Sequence, residues 1–192
     1  MKIATWNINS VRHRIQLVTR LLRDEQPDVL CLQETKVVDE LFPKAPLAKL
    51  GYVHQAIHGQ KAYHGVAVLS RLPFKKTGTQ DFCREGHARH MGVTFENGLE
   101  LHNFYVPAGG DIPDPKKNEK FAHKLHFLGA MEKFFAARKA SRSWSRNCAR
   151  HPTRRITARR AMAGPAICSA RCSTGRPARR RRMCRIAARP TR

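Results

Sequence analysis

From residue 141 to residue 192 the chain contains no Asp, Glu, Lys, Leu, Val, Phe or Tyr. Without carboxylates, that stretch offers none of the acids, bases or hard oxygen ligands that hydrolytic sites draw on. Its only bulky apolar residues are Trp144, Ile156, Met162, Ile167, Met183 and Ile186. So little apolar surface cannot offset the entropy of ordering a backbone, so disorder is expected there. Nowhere does the chain hold the ~18 consecutive apolar residues that a membrane-spanning helix needs, so no membrane partner is expected. The N-terminal Met1-Lys2-Ile3-Ala4-Thr5-Trp6-Asn7 lacks an apolar core and a small-residue cleavage site, which points to a cytoplasmic protein. Cysteines are few: Cys31 and Cys83 stand far apart, and four lie beyond residue 140. Cys168 and Cys172, with Cys184 further on, lack the paired second half of a zinc site, so reduced, unpaired thiols are expected.

What is present divides the chain in two, at residues 1–139 and 140–192. All 14 Asp and Glu fall in the first part, while the second holds 16 Arg and 10 Ala. The formal net charge of +23 divides accordingly, with +7 from residues 1–140 and the rest from unopposed Arg. A moderately basic front suits a protein that meets phosphate backbones, and the Arg-rich part would bind them without sequence preference.

The front reads as α/β with a mixed sheet. Residues 2–8 form a strand, and Asn9-Ser10 offers an N-cap to a helix carrying Val11, Ile15, Val18, Leu21 and Leu22. Pro27 moves Gln26 out of the helical region, ending the helix near Glu25. Val29-Leu30-Cys31-Leu32 is apolar on both faces and suits a central parallel strand. Further strands are expected at 52–57, 64–70, 90–96 and 99–106, with Asn97-Gly98 a hairpin turn between the last two. After a loop over 108–117, a helix over about 118–137 places Phe121, Leu125, Leu128, Met131 and Phe134/Phe135 on one face.

The first strand, helix and second strand make a βαβ unit, which sets the carboxyl ends of both strands on one sheet edge, where open α/β folds bind ligands. Asn7 and Glu34 fall at that edge. Together they offer hard oxygen donors suited to Mg²⁺. Tyr105 lies late in a later strand and is followed by Pro107-Ala108-Gly109-Gly110, a turn that lets substrate approach the backbone. Arg12, Lys36 and Lys61 sit near the same edge as phosphate contacts. The plainer readings are a solvated strand-end Glu34, a half-buried Tyr105 and ordinary surface cations. His123 and His126 share a helix face without a third ligand near in sequence, so helix-surface roles are expected. His87 and His90 flank Arg89 in what reads as a solvated turn.

Trp6-Asn7-Ile8-Asn9, Leu32-Gln33-Glu34-Thr35-Lys36, Gly59-Gln60-Lys61, His64-Gly65-Val66-Ala67 and Asn103-Phe104-Tyr105-Val106-Pro107 occur in linked order. In this the chain resembles the exonuclease III branch of the endonuclease/exonuclease/phosphatase superfamily, from Met1 to about Arg138. The resemblance implies the N-terminal half of the four-layer α/β/β/α sandwich of DNase I-like proteins, followed by the disordered Arg-rich tail. It implies Mg²⁺-dependent phosphodiester hydrolysis, with Mn²⁺ as a substitute. The expected substrate is double-stranded DNA, degraded 3′→5′ or incised at abasic sites by a monomeric DNA-repair enzyme. By the same resemblance Glu34 binds the metal, Asn7 supports metal or phosphate, Tyr105 contacts the scissile phosphate, and Asn103 orients that tyrosine.

Two parts of the family's pattern, an Asp-x-Asn segment and a late Asp-His pair, are not among these 192 residues, and no acid follows Glu132. The composition change falls just before the Asp-x-Asn is due. It matches GC-rich coding DNA read in a shifted frame, so a truncated and impaired nuclease is expected, with the inner face of its sheet exposed and the chain poorly packed. A non-catalytic basic nucleic-acid-binding polypeptide is the alternative, and a phosphatase of the same superfamily a third reading.

Overall fold

Backbone pairing gathers nine strands into two sheets in the computed structural model, which describes residues 1–83, 85–141, 157–160 and 167–171, the last two segments by backbone alone. The chain runs through β1 (Lys2–Asn7), α1 (Ile15–Glu25), β2 (Val29–Gln33), a 3₁₀ turn (Asp39–Leu41) and α2 (Lys44–Ala48). It continues through β3 (His54–His58), β4 (Val66–Ser70), β5 (Phe74–Gly78), β6 (His90–Phe95), β7 (Glu100–Phe104) and α3 (Glu119–Ser141). Two short strands, β8 (Thr157–Arg160) and β9 (Ile167–Arg171), complete the order. One sheet has the strand order β3-β4-β2-β1-β8 and the other β5-β6-β7-β9.

Strand β1 pairs in parallel with β2, Ile3 opposite Val29 and Asn7 opposite Gln33, as the βαβ reading expects. Alternation along β2 explains the layering. Leu30 and Leu32 face α1 and α2, packing with Val18, Leu22 and Leu47. Val29 and Cys31 face the other sheet, packing with Met91, Val93, Phe95 and Leu101. Beyond that sheet, Phe104 meets Phe82 and Phe127, with Met131 and Phe134 of α3 packed against them. The result is a four-layer α/β/β/α arrangement with three cores. Each fully buried Val, Leu or Phe side chain stabilises it by about 1.5–3 kcal/mol.

Several expectations need correction. The second sheet is present, and its inward Met91, Val93 and Leu101 cover the inner face of the first, which was expected to lie exposed. Asn9 and Ser10 do not cap α1: both have positive φ (47° and 83°), a turn intervenes, and the helix starts at Ile15 with Arg14 before it. Leu125 and Leu128 are exposed; α3 buries Phe127, which shares a face with the expected Met131, Phe134 and Phe135. Gln26 does leave the helix as expected, at φ 42°. Gly98 (φ 78°) makes the hairpin turn, where its N–H bonds to the Phe95 carbonyl and Asn97 Oδ1 accepts from Leu99 N–H.

Strands β8 and β9 lie within the stretch for which disorder was expected. The first adds in parallel to the free edge of β1, and the second adds antiparallel to β7. Edge strands present unpaired N–H and C=O groups that accept such additions with little regard to side chain. The rest of that expectation, with Cys172, Cys184 and His151, lies outside the described residues. No described helix is long and apolar enough to cross a membrane.

Side chains also tie the sheets together. Asn103, fully buried on β7, donates through Nδ2 to the carbonyls of Leu32 and Ala67, both at 2.9 Å, and accepts from Gln33 Nε2 at 2.6 Å. On the outer side of the second sheet, His90 Nδ1 accepts from Gln80 N–H, and its Nε2 stands 3.0 Å from His102 Nδ1. His102 Nε2 in turn faces the Glu100 carboxylate, which pairs with Arg138 at 2.9 Å. Neither His90 nor Arg89 is a solvated turn residue.

Burial lowers the His90 imidazole to about 3, aided by the neighbouring His102, His58 and Arg138. An unfolded His titrates near 6.5, so between the two values the unfolded chain binds the extra proton. Stability therefore falls as pH drops from ~6.5 toward ~3, by up to about 1.4 kcal/mol per pH unit from this group. Urea denaturation at neutral pH and at about pH 5 checks this; a lower midpoint at the acid value is expected, and equal midpoints would contradict it.

Candidate active site

The carboxyl ends of β1, β2 and β3, the start of β4 and the end of β7 converge on one edge. The backbone there is unusual. Of the seven described non-glycine residues with positive φ, six belong to it: Asn9, Ser10, Glu34, Lys36, Ala62 and His64. Left-handed backbone costs about 1–2 kcal/mol per non-glycine residue and persists only where surrounding bonds hold it. Those bonds are visible. Ser10 N–H bonds to the Glu34 carbonyl and Val11 N–H to that of Thr35, while Thr35 and Lys36 N–H bond to the carbonyls of Gly65 and His64.

Glu34 is the centre of the cluster. Asn7 Nδ2 donates to its Oε1 at 2.6 Å, and Lys36 Nζ lies 3.3 Å from its Oε2. Lys36 also donates to Asn9 Oδ1 at 2.6 Å, and Asn9 N–H reaches Asn7 Oδ1 at 3.3 Å. Burial alone would raise the Glu34 carboxyl. Hydrogen bonds from Asn7, Tyr105 and Lys36, with the charge of Lys36, instead hold it below the ordinary 4.5. The group is thus ionised at neutral pH, and its side chain keeps 19 % exposure on the open side.

Tyr105 enters just past the end of β7. Its hydroxyl bonds to Glu34, and burial, that bond and the carboxylate charge push its phenol up to about 12. The Arg89 guanidinium lies over the tyrosine ring, 4.7 Å from its centroid, and Arg89 Nη1 donates to the Tyr105 carbonyl. His64 completes the wall, 5.9 Å from the Tyr105 ring and 4.3 Å from that of His87. Burial first, then the charges of Arg89 and His87, lowers His64 to about 4, so it is neutral at physiological pH.

The sequence-chosen residues therefore divide. Asn7, Glu34, Lys36 and Tyr105 form one bonded cluster. Arg12 and Lys61 stand exposed on turns flanking the edge. Arg89 and His64 were not chosen as site residues. His64 carried a signal in its motif with Gly65, whereas Arg89 could be placed only once β6 and β7 were known to pair. Gly65, at φ 85°, meets Thr35 closely enough that an added Cβ would lie 2.2 Å from Thr35 Oγ1. Gly65→Ala is expected to destabilise by more than the about 1–2 kcal/mol of left-handed strain alone, read as a lowered thermal midpoint.

Known proteins share this architecture. The sequence pattern described as the Endonuclease/Exonuclease/phosphatase family matches residues 4–182. An exodeoxyribonuclease III of Haemophilus influenzae is 36% identical over 141 residues, covering 71% of this chain and 49% of that protein. A DNA-(apurinic or apyrimidinic site) endonuclease of Dictyostelium discoideum is 35% identical over 108 residues, covering 55% of this chain and 28% of that protein. Among solved structures, an AP endonuclease from Archaeoglobus fulgidus superposes with a TM-score of 0.60 at 35% identity, covering 67% of this chain and 48% of that one. A 3′ phosphatase, NExo, from Neisseria bound to product DNA hairpin gives 0.63 at 33% identity, covering 72% and 52%. The chain thus spans half or less of the length of these curated relatives. With that match running across most of its length, the chain belongs to the endonuclease/exonuclease/phosphatase family.

Proposed function

We propose that the edge around Glu34 is the phosphate- and cation-binding part of a DNA-repair nuclease of the exonuclease III type. On this reading it hydrolyses phosphodiesters of double-stranded DNA, at 3′ ends and at abasic sites. The observation that supports this best is the convergence of Asn7, Glu34, Lys36 and Tyr105 on one strand-end edge. One ionised carboxylate on an open edge fits Mg²⁺, which takes one or two carboxylates and fills its shell with water and phosphate oxygens. Mn²⁺ fits the same donors.

Glu34 would hold the ion, and Asn7, bonded to Oε1, would orient the carboxylate. When bound, such an ion neutralises charge that develops on the phosphoryl oxygens. Lys36 brings a second positive charge to the same edge. Tyr105, protonated at neutral pH, can turn its one O–H from Glu34 to a phosphate oxygen, and Arg89 fixes its ring. His64, being neutral, offers a hydrogen bond rather than a charge. The Asp-x-Asn and Asp-His motifs to which the family assigns the water-activating and leaving-group roles are not among these 192 residues. Activity is accordingly expected to be weak. We take the protein to act as a cytoplasmic monomer.

The second reading, a non-catalytic nucleic-acid binder, is favoured by the unopposed Arg of residues 141–192. Incubating the chain with an abasic duplex and Mg²⁺ separates the two. Slow incision that chelation stops is expected; salt-sensitive retention of uncut duplex supports the binder instead.

A further inference from the structure

A second group of metal-ligating side chains stands apart from Glu34. Cys83 and His87 come from the loop before β6, and His123 from the first turns of α3. One ligand atom from each lies within 4.8 Å of the others. The carboxylate of Glu85 lies beside the two imidazoles: its Oε2 is 3.0 Å from His87 Nδ1 and 3.9 Å from His123 Nε2. Both of those ring nitrogens are buried and make no hydrogen bond. Their carboxylate neighbour makes no hydrogen bond with them, an arrangement that an ion held between the groups would explain.

The loop is built to hold this shape. Asp81 accepts from the N–H groups of Cys83 and Gly86 through its two oxygens, at 2.8 and 3.0 Å, and Gly86 turns the chain at φ 65°. Phe82 anchors it in the core, edge-on to Phe104 and Phe134. Cys83 is buried without a disulfide, so its sulfur faces the cluster as a thiol.

We infer that Cys83, His87 and His123, with Glu85 as fourth donor, bind one zinc-class transition-metal ion that pins the 81–87 loop to α3. The donor set of one sulfur, two imidazoles and one carboxylate is that of tetrahedral zinc rather than Mg²⁺. Bond lengths of ~2.0–2.3 Å put tetrahedral donors ~3.5 Å apart, so closing the cluster needs side-chain movements of about 1 Å. The ion would sit behind the catalytic edge, since the His87 ring lies 4.3 Å from that of His64, tilted at 44°, and Arg89 follows two residues later. The pairing of His123 is with the loop and not with His126, which is why helix spacing gave no hint of it.

The test uses the full chain stripped with a chelator and titrated with Zn²⁺ against a chromophoric zinc indicator. The double variant Cys83→Ser/His123→Ala runs alongside, because Cys148, Cys168, Cys172 and Cys184 supply other thiols. The double variant is expected to bind one equivalent fewer than the parent. The parent's thermal midpoint should rise with that equivalent, as a ligand specific for the folded state requires, and the variant's should not. Co²⁺ in place of zinc should give a sulfur-to-metal charge-transfer band that is weakened by the same equivalent. His126→Ala and Glu34→Gln are expected to keep the equivalent. Should Cys83→Ser unfold the chain, His123→Ala alone, on a partly exposed helix position, reads the same loss. Equal stoichiometry in parent and double variant, or no zinc-linked rise in midpoint, overturns the inference.

Discussion

Glu34→Gln is expected to lower Mg²⁺-dependent incision of an abasic duplex by about 10³-fold, the upper range for removing one preorganised electrostatic group. The isosteric amide keeps the shape that Asn7, Lys36 and Tyr105 enclose while removing the carboxylate that bonds to them. Duplex affinity should change little, because the Arg-rich residues 141–192 carry most of the chain's charge. The pH dependence separates this role from a merely structural one. The carboxyl is held below 4.5, so its ionised form persists as pH falls through the ordinary carboxylate range. Rate attributable to Glu34 is thus expected to hold down to that range and fall only below it. An acid limb lying well above 4.5 would assign the activity to another group.

The second large effect concerns stability. Asn103→Ala should destabilise the fold by about 3–5 kcal/mol. The substitution strands the Leu32 and Ala67 carbonyls and Gln33 Nε2, and each buried group left without a partner costs about 1–3 kcal/mol. Partial rescue is built in for one of them, because Gln33 Nε2 also reaches Thr5 Oγ1 at 3.0 Å. Those bonds join β7 to β2 and β4, so the loss should also loosen Tyr105 against Glu34. Urea unfolding reads the effect directly, and a change under about 1 kcal/mol would mean the sheets do not depend on this residue.

How much of this was legible in the chain depended on where each signal lay. Strands β1, β2, β6 and β7 and helices α1 and α3 showed in apolar runs, periodicity and Asn97-Gly98. The parallel pairing of β1 with β2 then put Asn7 and Glu34 on one edge without further information. Strand β5, Phe-Lys-Lys-Thr-Gly, was missed because an edge strand needs neither alternation nor an apolar run. Helix α2 spans only five residues and contains a proline. The strands at 90–96 and 99–106 were legible, but nothing local in sequence shows that they leave the first sheet and pair with β5 to form a second one. The burial of Phe127 rather than Leu125 and Leu128 followed from its docking against Phe82 and Phe104, a long-range contact that periodicity alone does not determine. Arg89 and the Cys83–His87–His123 cluster were invisible for the same reason: their neighbours are distant in sequence.

In the proposed function Glu34 holds a hard divalent cation. Electron paramagnetic resonance of Mn²⁺ titrated into the full chain counts bound ions without relying on turnover. One Mn²⁺ bound by the parent and by Cys83→Ser/His123→Ala, but absent from Glu34→Gln, is the expected result. Undiminished Mn²⁺ binding in Glu34→Gln would contradict it.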